Sequence, residues 1–286
     1  MENDRKGYRM SEYSKLQTEQ RNERTTHIDE ASPAEIVRLM NEENRRAVEA
    51  VGDAENEIAA AIDGIAKRIE AGGRLIYVGA GTSGRLGALD AAECPPTFGV
   101  GYDEVVAVMA GGKDAFFRAA EGAEDSAEAG ERDIAALGIT ENDSVVGISA
   151  AGGAQYVISA VRYAKARGAL TVSITCNPGT PLAAGCDIAI ECLTGAEALT
   201  GSTRLKAGTA QKLVLNMLST GAMIRTGKVY ENMMINVRPT NVKLKDRAAR
   251  IAAEVSGADY DAACKAVEKT GSVKEAIKLL KGSSDA

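Results

Sequence analysis

The sequence predicts an α/β protein built on a doubly wound, parallel sheet of five strands. Short apolar runs alternate with helical patterns through the middle of the 286-residue chain, which is typical of repeated βαβ units. The first apolar run leads directly into a glycine-rich turn. The composition includes 30 glycines, no tryptophan and 4% aromatic residues, so small aliphatic side chains must fill the interior, as in buried parallel sheets.

Five strands are predicted, at 74–79, 104–110, 144–149, 170–175 and 187–191. Helical patterns separate them at 83–92, 113–137 and 154–167, and the first helix is expected to stop at Glu93, before a pair of prolines. A flavodoxin-like strand order, 2-1-3-4-5, makes the loops after the first and third strands neighbours. Ligands of such sheets bind at this C-terminal edge.

Helical and polar segments flank the predicted sheet. Residues 1–31 are polar and read as a flexible arm. Ser32-Pro33-Ala34-Glu35 is a capping box that starts a helix, and a second helix follows before the first strand. The 203–224 pattern is apolar on most sides, which indicates a helix buried in the chain or in a dimer interface. We divide the chain into an N-terminal arm and helix (1–50), a sheet domain (51–235) and a C-terminal helical bundle (236–286).

Charge and composition exclude several function classes. The net charge of −6 argues against general binding to nucleic acid or to anionic membranes. We find neither a signal peptide nor an apolar run that would span a bilayer. The five cysteines are scattered, which suggests reduced thiols in the cytoplasm. The single histidine, His27, argues against a histidine-rich metal site.

The turn at 79–84, Gly-Ala-Gly-Thr-Ser-Gly, is the main candidate for ligand binding. A dinucleotide site would need an acid at the end of the second strand, where this chain has Met109-Ala110-Gly111-Gly112. A purely structural turn is the second interpretation. We favour an anion cradle, because the helix start presents free backbone N–H groups and Thr82 and Ser83 add hydroxyl donors.

Two glutamates are candidates for acid–base catalysis. Glu93 follows alanines and precedes Cys94 and two prolines, a setting that would desolvate it and raise its pKa. Glu124 lies in a cluster of acids whose mutual repulsion disfavours a helix, although each glutamate alone is more often a surface carboxylate.

Three other residues have competing interpretations. We expect Cys94 to be a spectator and not a nucleophile, because only His27 is available to activate it. Arg204 and Lys206 begin a mostly apolar helix, and they either snorkel to solvent or bind an anion.

Several stretches resemble the N-acetylmuramic acid 6-phosphate etherase family of the sugar isomerase (SIS) domain class. They are LQTEQRNERTTHID at 16–29, RLIYVGAGTSGRLGALDAAECPPTFGV at 74–100, EGAEDS at 121–126, CNPG at 176–179 and GSTRLKAGTAQKLVLNMLSTG at 201–221. Together they cover most of the chain in the family order. ECPPT and KAGTAQKLVLNMLSTG are the most specific of them.

The resemblance implies a SIS fold and a cytoplasmic homodimeric lyase without metal or organic cofactor. Its reaction would remove the D-lactyl ether from C3 of N-acetylmuramic acid 6-phosphate, during recycling of cell-wall sugar. The catalytic glutamates of the family fall on Glu93 and Glu124. Ligand contacts are implied at the phosphate loop, Gly81, Thr82, Ser83 and Gly84, and also at Glu121 and Arg204.

One departure from the family pattern concerns the loop after the third strand. The family usually reads ASGRTPY, whereas this chain reads AAGGAQY at 150–156 and lacks two hydroxyls and a guanidinium. The chain therefore either binds the sugar phosphate more weakly, or uses the Ser149 hydroxyl in place of the missing groups, or binds a different ligand. Two alternatives to the etherase therefore stay open: a non-catalytic SIS sugar-phosphate sensor and an aldose-ketose isomerase.

Overall fold

The sheet is parallel and has the predicted strand order, β2-β1-β3-β4-β5. The computed structural model describes residues 13–118, 120–237 and 242–282. The five strands are β1 Leu75–Gly79, β2 Val105–Met109, β3 Ser144–Ile148, β4 Leu170–Thr175 and β5 Ile188–Glu191. All five predicted strands are confirmed to within one or two residues at each end.

The described part of the chain also contains ten α-helices. They are α1 Pro33–Gly52, α2 Glu55–Glu70, α3 Gly81–Phe98, α4 Ala127–Ala135, α5 Gln155–Lys165, α6 Pro181–Gly185, α7 Lys206–Arg225, α8 Val242–Ser256, α9 Tyr260–Thr270 and α10 Val273–Gly282. The capping box predicted for α1 is confirmed, because the Ser32 side chain accepts a hydrogen bond from the Glu35 N–H and Pro33 occupies the first turn.

Two hydrophobic layers cover opposite faces of the sheet, as expected for a doubly wound fold. Leu75 and Tyr77 of β1 face a layer that includes α2, α3 and α7. Ile76 and Val78 face the other layer, which includes α5. The alternation follows from the two-residue period of a strand. A third hydrophobic cluster joins the three helices of the C-terminal bundle.

Helix α3 is longer than the sequence predicted. It continues past Glu93 and through Pro95 and Pro96, and it ends at Phe98, where Gly99 adopts a φ of 68° and its N–H bonds the Pro95 carbonyl. Neither proline has an N–H, so the helix lacks the hydrogen bonds that these two positions would donate to the preceding turn. Burial of Pro95 and Phe98 helps to compensate for those bonds.

The helix predicted over 113–137 is mostly wrong. The structure has a 3-10 turn at Lys113–Phe116, another at Ala123–Asp125, and only then α4. Gly111, Gly112 and Gly122 have φ values of 84°, 69° and 70°, a left-handed conformation that interrupts a helix. This loop carries Glu121 and Glu124.

The predicted flexible arm is also wrong for residues 13–31, whereas residues 1–12 lie outside the described chain. Three 3-10 turns follow one another, and they are fixed to the body by buried polar side chains. Asn177 Nδ2 donates to Thr18 Oγ1 at 3.0 Å, and Thr25 Oγ1 donates to the Ala198 carbonyl at 2.9 Å. Polar composition suggested disorder here, but these residues pair with backbone and side-chain groups of the sheet domain.

Helix α7 begins at Lys206, three residues later than predicted. The Glu197 carboxylate accepts from the backbone N–H groups of Lys206 and Ala207, both at 2.9 Å, and so caps the helix. Three short helices, α8 to α10, end the described part of the chain, with breaks at Gly257 and Gly271. Within the described residues, no helix is both long and apolar enough to cross a membrane.

Candidate functional site

The glycine-rich turn joins β1 to α3 at the C-terminal edge of the sheet. Gly81 has a φ of 54°, and a Cβ on Gly84 would lie 2.8 Å from the Gly79 carbonyl oxygen. Glycine is therefore required where strand and helix approach each other. Ala80 precedes the helix and offers no side-chain cap, so the first N–H groups of α3 remain available to an anion.

The two hydroxyl residues of the turn lie against the start of α7. Ser83 is buried, and its Oγ lies 3.0 Å from Gln211 Oε1. Thr82 is half-buried, and its methyl group faces Gly208 of α7. The first turns of α3 and α7 thus form one small-residue surface beside the turn.

A cavity of about 340 Å³ opens at the turn, between the loops that follow β1 and β2. Its lining includes three predicted ligand or catalytic residues, Gly81, Glu121 and Glu124, together with Arg85. Because β2 ends at Met109, the loop that follows it carries no acid in the position that a dinucleotide ribose would need. The cavity therefore combines a helix start, a guanidinium and two carboxylates.

Glu124 has an environment suited to proton transfer. Desolvation by the surrounding protein raises its pKa, and the negative charge of Asp125 raises it further. The side chain still has access to solvent, so a ligand can reach it. A carboxylate with a raised pKa is a stronger base than an ordinary surface glutamate.

Glu93 does not reach this cavity from within the same chain. It lies twelve residues after Gly81 on α3, which corresponds to about 18 Å along the helix. Its side chain is exposed, so the desolvation expected from the sequence is not found in the single chain. Its neighbours on the exposed face of α3 are apolar: Leu89, Ala92 and Pro96.

Five predicted ligand residues do not line the cavity: Thr82, Ser83, Gly84, Ser149 and Arg204. Ser149 follows β3, is buried, and accepts a hydrogen bond from the Gly152 N–H at 3.1 Å. Arg204 is exposed at the turn before α7. The loops after β1 and β3 are neighbours in the sheet, as predicted, but this cavity is formed by the loops after β1 and β2.

Sequence reasoning missed three residues near the site. Arg85 donates to the carbonyl oxygens of Ala115 and Phe116, both at 2.8 Å, and so holds the loop that carries Glu121 and Glu124. Asp90 and Gln211 are the other two. Arg85 could have been identified from its position one turn after the glycines on the same helix, which places it beside the turn.

Asp90 lies one turn before Glu93 and links α3 to two other elements. It accepts from Tyr77 Oη at 2.8 Å and from Ser219 Oγ at 3.2 Å. Desolvation raises its pKa, an effect opposed by those two hydroxyl donors. The network fixes the segment of α3 from which Glu93 projects.

Lys206 and Cys94 are both buried away from the cavity, which indicates structural roles. Lys206 neither snorkels nor reaches the cavity, because its ammonium is buried against Glu43. Cys94 is buried, its thiol donates to the Asp90 carbonyl, and burial raises its pKa to about 12. Such a thiol is a poor nucleophile. Across residues 13–118, 120–237 and 242–282, no three His, Cys, Asp or Glu side chains cluster as a metal site.

Comparison with known proteins identifies the fold as that of a SIS domain. Residues 57–165 match the family model described as the glucokinase regulatory protein N-terminal SIS domain. The fold also resembles the structure of a phosphoheptose isomerase from Francisella tularensis, with a TM-score of 0.51 and 18% identity over 67% of this chain and 98% of that one. At that identity the likeness supports the SIS fold alone.

Closer relatives cover nearly the whole chain. The chain is 54% identical to N-acetylmuramic acid 6-phosphate etherase of Serratia proteamaculans over 272 residues, which is 95% of this chain and 92% of the relative. It is 53% identical to the etherase of Clostridium beijerinckii over 93% of this chain and 88% of that relative. The chain therefore belongs to the N-acetylmuramic acid 6-phosphate etherase family.

Proposed function

We propose that the protein is a carbon–oxygen lyase that converts N-acetylmuramic acid 6-phosphate to N-acetylglucosamine 6-phosphate and D-lactate. The observation that carries this proposal is the cavity at the turn, in which an anion-binding helix start lies beside Glu124. Relatives of about 50% identity over nearly the full chain are named N-acetylmuramic acid 6-phosphate etherase. The reaction would belong to the recycling of cell-wall sugar in the cytoplasm.

The chemistry requires an acid and a base but no redox step. Opening of the sugar ring exposes an aldehyde at C1, which acidifies the hydrogen on C2. Removal of that proton forms the C2=C3 double bond as the C3–O bond to the lactyl group breaks. Water then adds its oxygen to C3 and a proton to C2. Two carboxyl groups are sufficient for these transfers, so we propose that no metal or organic cofactor takes part.

We assign Glu124 as the base at C2 and Glu93 as the acid that protonates the departing lactate oxygen. The raised pKa of Glu124 favours its role as base, because a more basic carboxylate takes a proton from carbon more readily. Glu93 then supplies a proton to the ether oxygen, which departs as the hydroxyl group of D-lactate instead of as a poor alkoxide leaving group.

The phosphate would bind at the start of α3. Backbone N–H groups of residues 81–83, the helix dipole and the hydroxyls of Thr82 and Ser83 supply donors there. Glu121, Ser149 and Arg204 are the further proposed contacts. Two hydroxyls and a guanidinium of the family loop are missing at 150–156, and Ser149, directly before this loop, carries a hydroxyl that could replace one of them.

We also propose a homodimer in which the partner protomer contributes Glu93. Within one chain, Glu93 lies about 18 Å along α3 from the turn. Exposed apolar side chains surround it, and Met217 and Ile224 of α7 are also exposed, which is typical of a surface that a second copy covers. Burial in such an interface would provide the desolvation that Glu93 lacks in the single chain.

The first test is release of D-lactate from N-acetylmuramic acid 6-phosphate. We expect stoichiometric lactate and, in deuterium oxide, product labelled at C2. A product without label would exclude the elimination. Glu93→Gln and Glu124→Gln are each expected to lower kcat by about 10²–10⁴, and near-normal turnover would remove that residue from the mechanism.

Mixing the two inactive variants tests the shared site. If partner protomers contribute one glutamate each, randomly mixed dimers of Glu93→Gln and Glu124→Gln recover about a quarter of wild-type activity, because half are heterodimers with one intact site. If both glutamates act from one chain, mixing restores nothing. Each variant remixed with itself is the control.

A sensor or an isomerase predicts different products. A sugar-phosphate sensor binds N-acetylglucosamine 6-phosphate but releases no lactate, and the altered 150–156 loop is the observation in its favour. An aldose-ketose isomerase forms a ketose phosphate and does not depend on the lactyl group. The lactate assay separates all three functions.

A further inference from the structure

Gln211 contains an unsatisfied amide at the edge of the proposed phosphate site. The residue is 1% exposed, and its Nε2 has no hydrogen-bond partner among the described residues. Its Oε1 lies 3.0 Å from Ser83 Oγ, in the first turn of α3. A buried amide that leaves both hydrogens unpaired is uncommon in folded proteins, so the contact needs an explanation.

The hydroxyl of Ser83 has one hydrogen and therefore one acceptor at a time. With Oε1 facing it, Ser83 donates to Gln211 and has no hydrogen left for a ligand. Turning the amide by 180° about its last torsion exchanges oxygen for nitrogen with almost no change in shape. Nε2 then donates to Ser83 Oγ, and the hydroxyl hydrogen is free.

The charge of a phosphate favours the turned arrangement. A hydrogen bond to an ionised oxygen is roughly twice as strong as one between neutral groups, so phosphate competes well for the Ser83 hydrogen. Turning the amide exchanges an unpaired N–H for an unpaired oxygen, which is favourable because buried N–H groups are left unpaired less often than C=O oxygens. Both effects act in the same direction.

We propose that Gln211 is a positioning residue for phosphate binding, with its amide N–H donating to Ser83 Oγ so that the Ser83 hydroxyl donates to the phosphate. This inference rests on the proposed function, because it assigns the phosphate of the sugar to the start of α3. The packing of α7 against α3 supports the geometry, since the methyl group of Thr82 meets Gly208 one turn before Gln211.

The alternative is that Gln211 only fills space between the two helices. Gln211→Met keeps the length and removes both amide groups. Gln211→Glu keeps the shape but, when ionised, can only accept, so it retains the Ser83 hydrogen and adds a negative charge. A space-filling role predicts normal ligand affinity for whichever variant folds.

Calorimetry with N-acetylglucosamine 6-phosphate separates these roles. We expect Gln211→Met to raise Kd about 2–10-fold, the factor of one neutral hydrogen bond. We expect Gln211→Glu to raise it more at pH 8 and to recover part of the loss as the pH is lowered, because a protonated carboxyl can donate. Thr226→Val, which removes a hydroxyl bonded within the far end of α7, is the matched control.

A double-mutant cycle with Ser83→Ala completes the test. If Gln211 acts through Ser83, Gln211→Met has no further effect on Kd in the Ser83→Ala background. Wild-type affinity in Gln211→Met, or in Gln211→Glu where the first variant does not fold, overturns the proposal, as does full additivity in the cycle. Failure of the wild type to bind this ligand or to release lactate instead overturns the proposed function.

Discussion

Lys206 Nζ lies 2.5 Å from Glu43 Oε2, and the two side chains are only 1% and 2% exposed. Glu43 also accepts from Arg24 of the N-terminal segment and from Asn22 Nδ2 at 2.9 Å. One buried carboxylate of α1 therefore joins the start of α7 to the segment that precedes α1. The arrangement explains why residues 13–31 are ordered in spite of their polar composition.

The two members of the ion pair are expected to respond unequally to neutralisation. Glu43→Gln leaves the buried Lys206 ammonium without its carboxylate partner, and we expect the free energy of unfolding to fall by about 3–5 kcal/mol. Lys206→Met leaves Glu43 paired with Arg24, so its cost is expected to be smaller. Urea denaturation of both variants measures the difference.

Two further variants control for this prediction. The double variant Glu43→Gln, Lys206→Met removes both charges and is expected to regain much of the stability lost in Glu43→Gln. Arg24→Ala is expected to cost about 0–1 kcal/mol, because its side chain is half-exposed. If Lys206→Met were the more damaging single change, our account of the network would be incorrect.

The same carboxylate predicts a dependence of stability on acid. Burial alone would raise the pKa of Glu43, but hydrogen bonds from Arg24 and Lys206 outweigh it and lower the pKa to about 2. A lowered folded-state pKa gives stability that is complete above the unfolded value, near 4.5, and is lost as the pH falls towards 2.

Urea titrations between pH 6 and pH 2.5 test that dependence. The decline of unfolding free energy over this interval is expected to be less steep in Glu43→Gln, because residue 43 no longer takes up a proton on unfolding. Glu42→Gln, an exposed neighbour on the same helix, is the matched control. Parallel declines in Glu43→Gln and the wild type would contradict the assignment.

The sheet could be predicted from the sequence, because apolar periodicity and turn residues are local signals. The small-residue turn at 79–84 followed from the same signals, whereas the strand order was taken from the flavodoxin-like class that alternating strands and helices suggested. The helix predicted at 113–137 failed because Gly122, with a φ of 70°, interrupts a segment whose apolar spacing looks helical. The extension of α3 through Pro95 was missed because proline usually ends a helix and local rules cannot see that Phe98 is buried.

The candidate site was less predictable, because its residues come from separate elements. Glu124 and Gly81 were identified from motifs and do line one cavity. Lys206 was predicted to snorkel or to bind an anion, but it forms a buried ion pair with Glu43. The sequence could not show this pair, because only the fold brings α1 beside the start of α7. The surroundings of Glu93 were judged from sequence neighbours, yet on a helix the exposed face is set by residues three and four positions away.

Gly84 is expected to tolerate no side chain. A Cβ there would lie 2.8 Å from the Gly79 carbonyl oxygen and 2.8 Å from Met109 Cγ, and the strand backbone cannot move aside. We expect Gly84→Ala to lower the free energy of unfolding by about 1–3 kcal/mol and to weaken binding of N-acetylglucosamine 6-phosphate. Gly52→Ala is the control, because its Cβ meets no atom within 4 Å and its φ is ordinary.

Thermal unfolding and calorimetry report the two effects of Gly84→Ala separately. The wild-type melting temperature in Gly84→Ala would show that the turn relaxes more than the contacts allow. Normal stability with lost binding would instead indicate that only the anion-binding backbone is disturbed. Gly52→Ala is expected to match the wild type in both measurements.

The pH profile of the reaction is expected to depend on Asp125. Desolvation raises the pKa of Glu124 first, and the negative charge of Asp125 adds to the increase. As a base, Glu124 must be ionised, so kcat/KM falls as the pH drops below its pKa. Asp125→Asn removes one of the two causes, and we therefore expect the acidic limb of the kcat/KM profile to move to lower pH. Desolvation still holds the pKa of Glu124 above that of a free glutamate.

The control is Asp114→Asn, which removes an acid from the neighbouring 3-10 turn. Asp114 is not among the causes of the raised pKa, so this change should leave the limb in place. An unchanged limb in Asp125→Asn, or a shift to higher pH, would mean that the group titrating in kcat/KM is not Glu124, and the base would then have to be sought elsewhere in the cavity.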